Sequence, residues 1–166
     1  TASEAVWRFL GLPLHKEFPN IFRLDVHLPG YQNVVFDPTE DMRDIFEAAE
    51  RSSSTLLEWF ALNQRDLNAR QYLYTDIPEH YVWKDGTWFQ RSYTKKKTVA
   101  RIYSVSLHNQ ELFALRTLLK CQRGCTSFVD ILTVDGFIHS TFREACAAYG
   151  FVQNDSEFIA AFTEYL

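Results

Sequence analysis

Residues 88–103 read WFQRSYTKKKTVARIY and set Arg91, Lys95, Lys96, Lys97 and Arg101 among the rings of Trp88, Phe89, Tyr93 and Tyr103. Cationic side chains neutralise phosphates and release counterions, and flat side chains between them stack on unpaired bases, which a paired duplex does not offer. Residue types and spacing therefore make this stretch a candidate contact surface for a nucleic-acid strand. Trp88 and Tyr93 are its candidate stacking rings, although Trp88, Phe89 and Tyr103 can equally be core residues of a hairpin, which leaves Tyr93 as the exposed ring. The competing reading is a solvated turn, since lysine runs commonly occupy loop tips. The chain as a whole carries a net charge of −4, so any such contact must come from a local patch rather than the whole surface. Residues 84–101 supply one, with six Lys or Arg against the single acid Asp85.

Other chemistry finds less support. A nucleotide-hydrolysing site needs a glycine-rich cradle followed by Lys, and none of the glycines at 11, 30, 86, 124, 136 and 150 precedes a lysine. A metal nuclease of the His-hydrophobic-His type needs paired imidazoles, whereas His15, His27, His80, His108 and His139 are isolated. Cys121 and Cys125, in KCQRGCT, could open a tetrahedral zinc site, but its second half is missing, and Cys146 and His139 lie at no standard spacing. Cys146 sits in the alanine-rich TFREACAAYG, a packing face rather than a nucleophile's setting. Tyr72 and Tyr74, two apart on an expected helix, do not share a face. Glu79 and His80, adjacent on an expected strand, point to opposite sides of the sheet. No catalytic set, metal, cofactor or small-molecule substrate is expected.

The elements that must position these residues are short. The chain of 166 residues is 46% hydrophobic and 16% aromatic, enough apolar material for one ring-rich core. A helix over residues 3–10 is capped by Ser3. Residues 21–28, IFRLDVHL, alternate as a half-buried strand, which Pro29 and Gly30 turn into a returning strand at NVVF. Helices are expected over 39–51, from a capping box of Thr55 with Glu58, and over 67–74. Asp85-Gly86 suits a tight hairpin between YVW and TWF, and residues 99–107 alternate as a strand. Asn109 begins a helix that Gly124 stops. SFVDILTV is a helix or strand, a Gly turn follows, and a short helix ends at Gly150 before an apolar-faced closing helix over 156–166. The fold class is α+β: one domain, residues 1–166, of several short helices with small antiparallel sheets and hairpins. The chain has no run near the roughly 20 apolar residues that cross a bilayer, its N-terminus lacks signal-peptide blocks, and its three cysteines favour reduced thiols. A soluble intracellular location without membrane contact is expected.

ASEAVWR at residues 2–8, DVHLPGYQNVVF at 25–36, LLEWFALN at 56–63, YTDIPEHYVW at 74–83 and SFVDILTVDGFIHSTFREACAAYGF at 127–151 together resemble Helitron transposases, the rolling-circle Rep-helicase proteins of eukaryotic transposons. The resemblance runs through essentially the whole chain in the same order. It implies a region between the two-tyrosine nuclease domain and the PIF-family helicase domain, hence a fragment of a larger polypeptide in the nucleus. It carries no catalytic residue onto this sequence, because the nuclease and Walker motifs would lie on either side. Two departures stand out: the family's first and second cysteines are commonly replaced where this chain has KCQRGCTSF, and a Gly-Arg-aromatic sequence expected near residue 101 is TVARIY here.

The resemblance implies a noncatalytic accessory domain that holds single-stranded or junction DNA while coupling nuclease to helicase, its contacts being Trp88, Arg91, Tyr93, Lys95, Lys96, Lys97 and Arg101. The alternatives are a docking scaffold between nuclease and helicase that never touches DNA, and a domesticated transposon remnant acting as a regulator.

Overall fold

A computed structural model describes residues 9–10, 20–32, 53–92 and 98–151. The helices expected over 39–51 and 156–166, most of the one over 3–10, the returning strand at NVVF, and Tyr93, Lys95, Lys96 and Lys97 lie outside the described residues.

The core forms around one helix, α1 (Thr55–Arg65). Its apolar residues Leu56, Trp59, Phe60 and Leu62 are all buried, so the helix has protein on most of its circumference. Ser54, not Thr55, is the cap: its hydroxyl accepts from Leu57 N at 3.1 Å. The capping box fails because Thr55 is drawn away. Its Oγ1 accepts from Asp25 N at 2.9 Å, and Glu58 turns instead to Arg65.

The same interaction ends β1 (Asn20–Leu24). The expected strand over 21–28 stops at Leu24 because the backbone of Asp25 leaves the ladder. Its N–H goes to Thr55, and its carbonyl accepts from the Tyr74 hydroxyl at 2.9 Å. Two 3-10 turns, Ala69–Gln71 and Tyr74–Asp76, replace the helix expected over 67–74. An extended Leu73 bridges to Arg123 between them, and Tyr74 is anchored in the core, so the tertiary contacts override local helical spacing.

The single-turn helix α2 (Ile77–His80) leads into the hairpin of β2 (Tyr81–Lys84) and β3 (Thr87–Gln90). Asp85 (φ 50°) and Gly86 (φ 75°) provide the paired left-handed residues of a type I′ turn, which matches the twist of the two strands. Trp88 fastens the hairpin to α1. Its indole Nε1 donates to Thr55 O at 3.2 Å, and its carbonyl accepts from Arg65 Nη2 at 2.8 Å. Burying one such ring removes roughly 200 Å² from water, worth about 5 kcal/mol at most.

Next comes β4 (Thr98–Ile102), which pairs with β1 in parallel, Asn20 opposite Thr98 through Leu24 opposite Ile102. This corrects the expectation that all the small sheets are antiparallel. A parallel pair needs a long crossover, and the segment carrying α1 and the hairpin is that crossover. The inward face of the pair, Leu24 and Ile102 with Phe22 and Ala100 beside them, joins the core.

The C-terminal half of the described chain is a helical layer. The helix α3 (Gln110–Leu118) is capped by Asn109 as expected, its Oδ1 accepting from Leu112 N at 3.2 Å. Then follow α4 (Phe128–Leu132), capped by Ser127, the two-residue strands β5 (Thr133–Val134) and β6 (Phe137–Ile138) around an Asp135-Gly136 turn, and α5 (Phe142–Ala148). Packing of α3 on α5 is fixed by Cys146 Sγ donating to Ala114 O at 3.3 Å and by Glu111 Oε2 accepting from Phe142 N at 2.9 Å. Gly124 (φ 69°) lies where a Cβ would sit 3.1 Å from the Arg70 carbonyl, so glycine is needed for both backbone angle and room. Five helices and three two-stranded sheets among the described residues make an α+β domain. No described helix is long and apolar enough to cross a membrane.

Candidate nucleic-acid interface

Pleating decides which members of the basic and aromatic stretch reach the surface. Along β3, Trp88 faces inward at 2% exposure while its neighbour Phe89 faces out at 51%. Trp88 also packs between Phe22 and Trp83, so its faces are occupied and it offers no platform for a base. It leaves the set of contact residues as a core residue. Phe89 and Tyr103 go the other way: both are exposed.

Arg101 lies on the outward face of β4, directly opposite Arg23 on β1. Tyr103 follows on the same face, with the Arg23 guanidinium 5.9 Å from the centre of its ring. Arg116, from α3, reaches the same place, its Nε donating to Tyr103 O at 3.1 Å. Arginines from three distant segments are thus gathered around Tyr103: Arg23 against its ring, Arg116 on its backbone carbonyl and Arg101 two residues before it on the same face. Arg23 and Arg116 were not found by sequence reading, because only the parallel pairing and the return of α3 bring them to Arg101. The one available sign was the alternation of Arg23 within IFRLDVHL, which put it on the solvent side of its strand.

Arg91 is placed apart from this face. Its N–H donates to His80 O at 2.9 Å, and its Nε to both Pro78 O and Tyr81 O. That fixes the guanidinium beside a cleft of about 250 Å³ lined by Asn68, Gln71, Tyr72, His80, Tyr81, Gln90 and Arg91. Tyr72 and His80 stack there with ring centres 3.8 Å apart and planes 19° from parallel. Tyr81 closes the cleft from the core, its hydroxyl donating to Asp66 Oδ2 at 2.6 Å. Burial and that carboxylate push the Tyr81 hydroxyl far above its usual range, while the same bond holds the Asp66 carboxyl below its own.

The residues considered for catalysis have structural work. Tyr74 is fully buried, and desolvation raises its hydroxyl well above the ordinary value, so it stays protonated and bridges Thr55 and Asp25. Tyr72 belongs to the stack with His80, which lies in the last turn of α2 rather than on a strand beside Glu79. Cys125 and Cys146 are buried, and desolvation pushes each thiol up to about 12, whereas Cys121 is exposed. Among the described residues no group of three or more His, Cys, Asp or Glu could hold a metal ion.

A Ser–His pair that sequence reading missed joins Ser54 Oγ to His27 Nε2 at 2.7 Å. His27 Nδ1 lies 3.0 Å from Leu28 O, a carbonyl that can only accept, so that nitrogen carries a proton and Nε2 faces the serine hydroxyl. Ser54 Oγ also caps α1, and His27 is buried against the Phe128 ring. Both partners are thereby committed to holding the exit of β1 against the start of α1. Neither a protein-family model nor a curated protein sequence matches the chain.

Proposed function

We propose that this chain is a noncatalytic accessory domain of a Helitron-type transposase, which binds single-stranded or junction DNA and couples nuclease to helicase in the nucleus. The observation that carries the DNA contact is the pairing of Arg23 with Arg101 beside the exposed Tyr103, with the Lys95, Lys96 and Lys97 run entering β4 in the sequence. Guanidinium groups track phosphates and an exposed ring stacks on a base, whichever base it is, so the surface suits a strand held without regard to sequence. The transposase context rests on the five segments resembling that family.

A second reading has its own support. Phe137 and Ile138 on β6 are 74% and 68% exposed, and Phe9 and Leu10 are exposed as well. Apolar side chains in water fit a docking surface for neighbouring domains.

The deciding experiment is fluorescence anisotropy of labelled single-stranded and duplex oligonucleotides across a salt series, with the wild type and a K95E/K96E/K97E variant. Five phosphate contacts, from Arg23, Arg101 and the three lysines, give a log-log salt slope of about −3.5 for single strands. Loss of that binding in the variant supports the DNA reading. No binding at low salt, together with retention of the helicase portion, would leave docking as the function.

A further inference from the structure

We propose that the cleft between Tyr72, His80 and Arg91 is a pocket for one unpaired nucleobase of the strand whose phosphates follow the basic face. The inference rests on the reading under Proposed function and adds a second, base-specific contact to it.

The chemistry of the lining points to a flat, polar ring. Tyr72 and His80 already form a two-ring stack, and a third ring extends such a stack without first having to order its neighbours. Arg91 is held in place through its backbone N–H and its Nε, while its Nη groups make no hydrogen bond to a described residue. The guanidinium is thus pre-oriented, and no described residue takes the Nη donors that a base carbonyl or a phosphate oxygen would accept from. Gln90 is exposed on β3 at the rim, and its amide both donates and accepts, as the edge of a base requires. No carboxylate lines the cleft, in a chain with 21 acidic residues. At about 250 Å³ the space is smaller than the roughly 300–1,000 Å³ of clefts that enclose drug-sized ligands, and it suits a single ring system.

Its position matches the proposed path of a strand. Arg91 precedes the Tyr93–Lys97 run by two residues in sequence, and α2, which supplies His80, packs against β4. A base held in the cleft and phosphates on the face of β1 and β4 then belong to one continuous ligand. Free nucleotides carry the same ring chemistry, so the test separates the two sources.

The test compares binding of the whole chain to a 15-nucleotide thymidine oligomer, to an abasic oligomer of the same length and charge, and to dTMP. The base-bearing oligomer is expected to bind about 5- to 100-fold more tightly than the abasic one, with dTMP far weaker than either. Tyr72→Leu, which keeps an apolar side chain but removes the ring, is expected to abolish most of the difference and leave the salt-dependent part. Gln90→Ala, at an exposed position where folding is not at risk, is expected to weaken the base-bearing oligomer about 2- to 10-fold and leave the abasic one unchanged. Equal, salt-sensitive binding of the two oligomers would overturn the pocket, and the stacking on Tyr103 with it, and leave phosphate contact alone as the DNA-binding reading. A base preference undiminished in both variants would likewise overturn it, placing the stacking elsewhere. Binding of dTMP as tight as the oligomer would make the cleft a nucleotide site rather than part of a strand path. Failure of both oligomers to bind would remove the pocket and the DNA reading together.

Discussion

Replacing Arg101 by Gln should make the protein more stable and a poorer DNA binder at once. Arg101 and Arg23 are register partners on parallel strands, and paired strands lie about 4.8 Å apart. Two unit charges roughly 5–6 Å apart repel by about 0.7 kcal/mol in water, and 0.1 M salt reduces this to about 0.3–0.5 kcal/mol. Among the described residues no acidic group forms an ion pair with either guanidinium, so no described carboxylate relieves the repulsion. Gln keeps most of the side-chain stem and leaves the contact of Arg23 with Tyr103 in place. The thermal midpoint should therefore rise by about 1–2 °C. Binding changes in the other direction. One lost phosphate contact lowers the steepness of the salt dependence by about 0.7, which at 0.1 M salt is a roughly fivefold loss of affinity for single strands. Thermal unfolding and anisotropy on the same preparations measure both quantities. A lower midpoint would mean that Arg101 is structural, and unchanged affinity would mean that the outward face of β1 and β4 does not meet phosphate. Either result refutes the reasoning.

Thr55→Val preserves shape but strips the hydroxyl that accepts from Asp25 N and faces the Tyr74 hydroxyl at 2.7 Å, and it should cost about 1–3 kcal/mol in urea unfolding. A change below about 0.5 kcal/mol would show that the network does not hold β1 to α1. In thiol titration of the folded protein, Cys121 should react promptly, while Cys125 and Cys146, pushed up to about 12 by burial, should react only on unfolding. Fast modification of Cys146 in native conditions would contradict the packing of α3 against α5, and that of Cys125 would contradict its burial beside Gln122. The Tyr81 hydroxyl depresses the Asp66 carboxyl below its ordinary 3.8, so the stability this bond contributes is in place above that value and is lost as pH falls through the lowered one. The stability gap between wild type and Tyr81→Phe should accordingly be flat from about pH 5 to 7 and narrow below about pH 4; a gap that widens on acidification would reverse the assigned sign.

Features decided within a few residues were legible in the sequence. The Asp85-Gly86 turn, the Asn109 cap and the stop at Gly150 each follow from a local angle or a local hydrogen bond, and the structure has all three. Ambiguity began where two local rules competed. Ser54 and Thr55 are both good caps, and only the arrival of Asp25 from 30 residues away decides between them. In the hairpin, alternation says that one of Trp88 and Phe89 points inward. Both are apolar, so the choice falls to what waits beneath: the Thr55 carbonyl, an acceptor that an indole N–H can use and a phenyl ring cannot.

The candidate site shows the same division more sharply. A linear reading collects cations that are neighbours in sequence, and within the described residues that criterion separates what belongs together and joins what does not. Arg91 and Arg101 come from one stretch yet serve different places, one fixed beside a stacked pair of rings and the other open on a sheet face. Arg23, Arg101 and Arg116 come from three stretches, yet Arg23 pairs with Arg101 across the strands and both Arg23 and Arg116 contact Tyr103. Electrostatic attraction for a polyanion depends on distances in space, and like-charged residues gathered on one exposed face by a parallel pairing cost folding free energy rather than supplying it. That cost makes the pairing informative: among the described residues no carboxylate offsets the repulsion between Arg23 and Arg101, and an anion lying between them would, so the arrangement favours a bound phosphate.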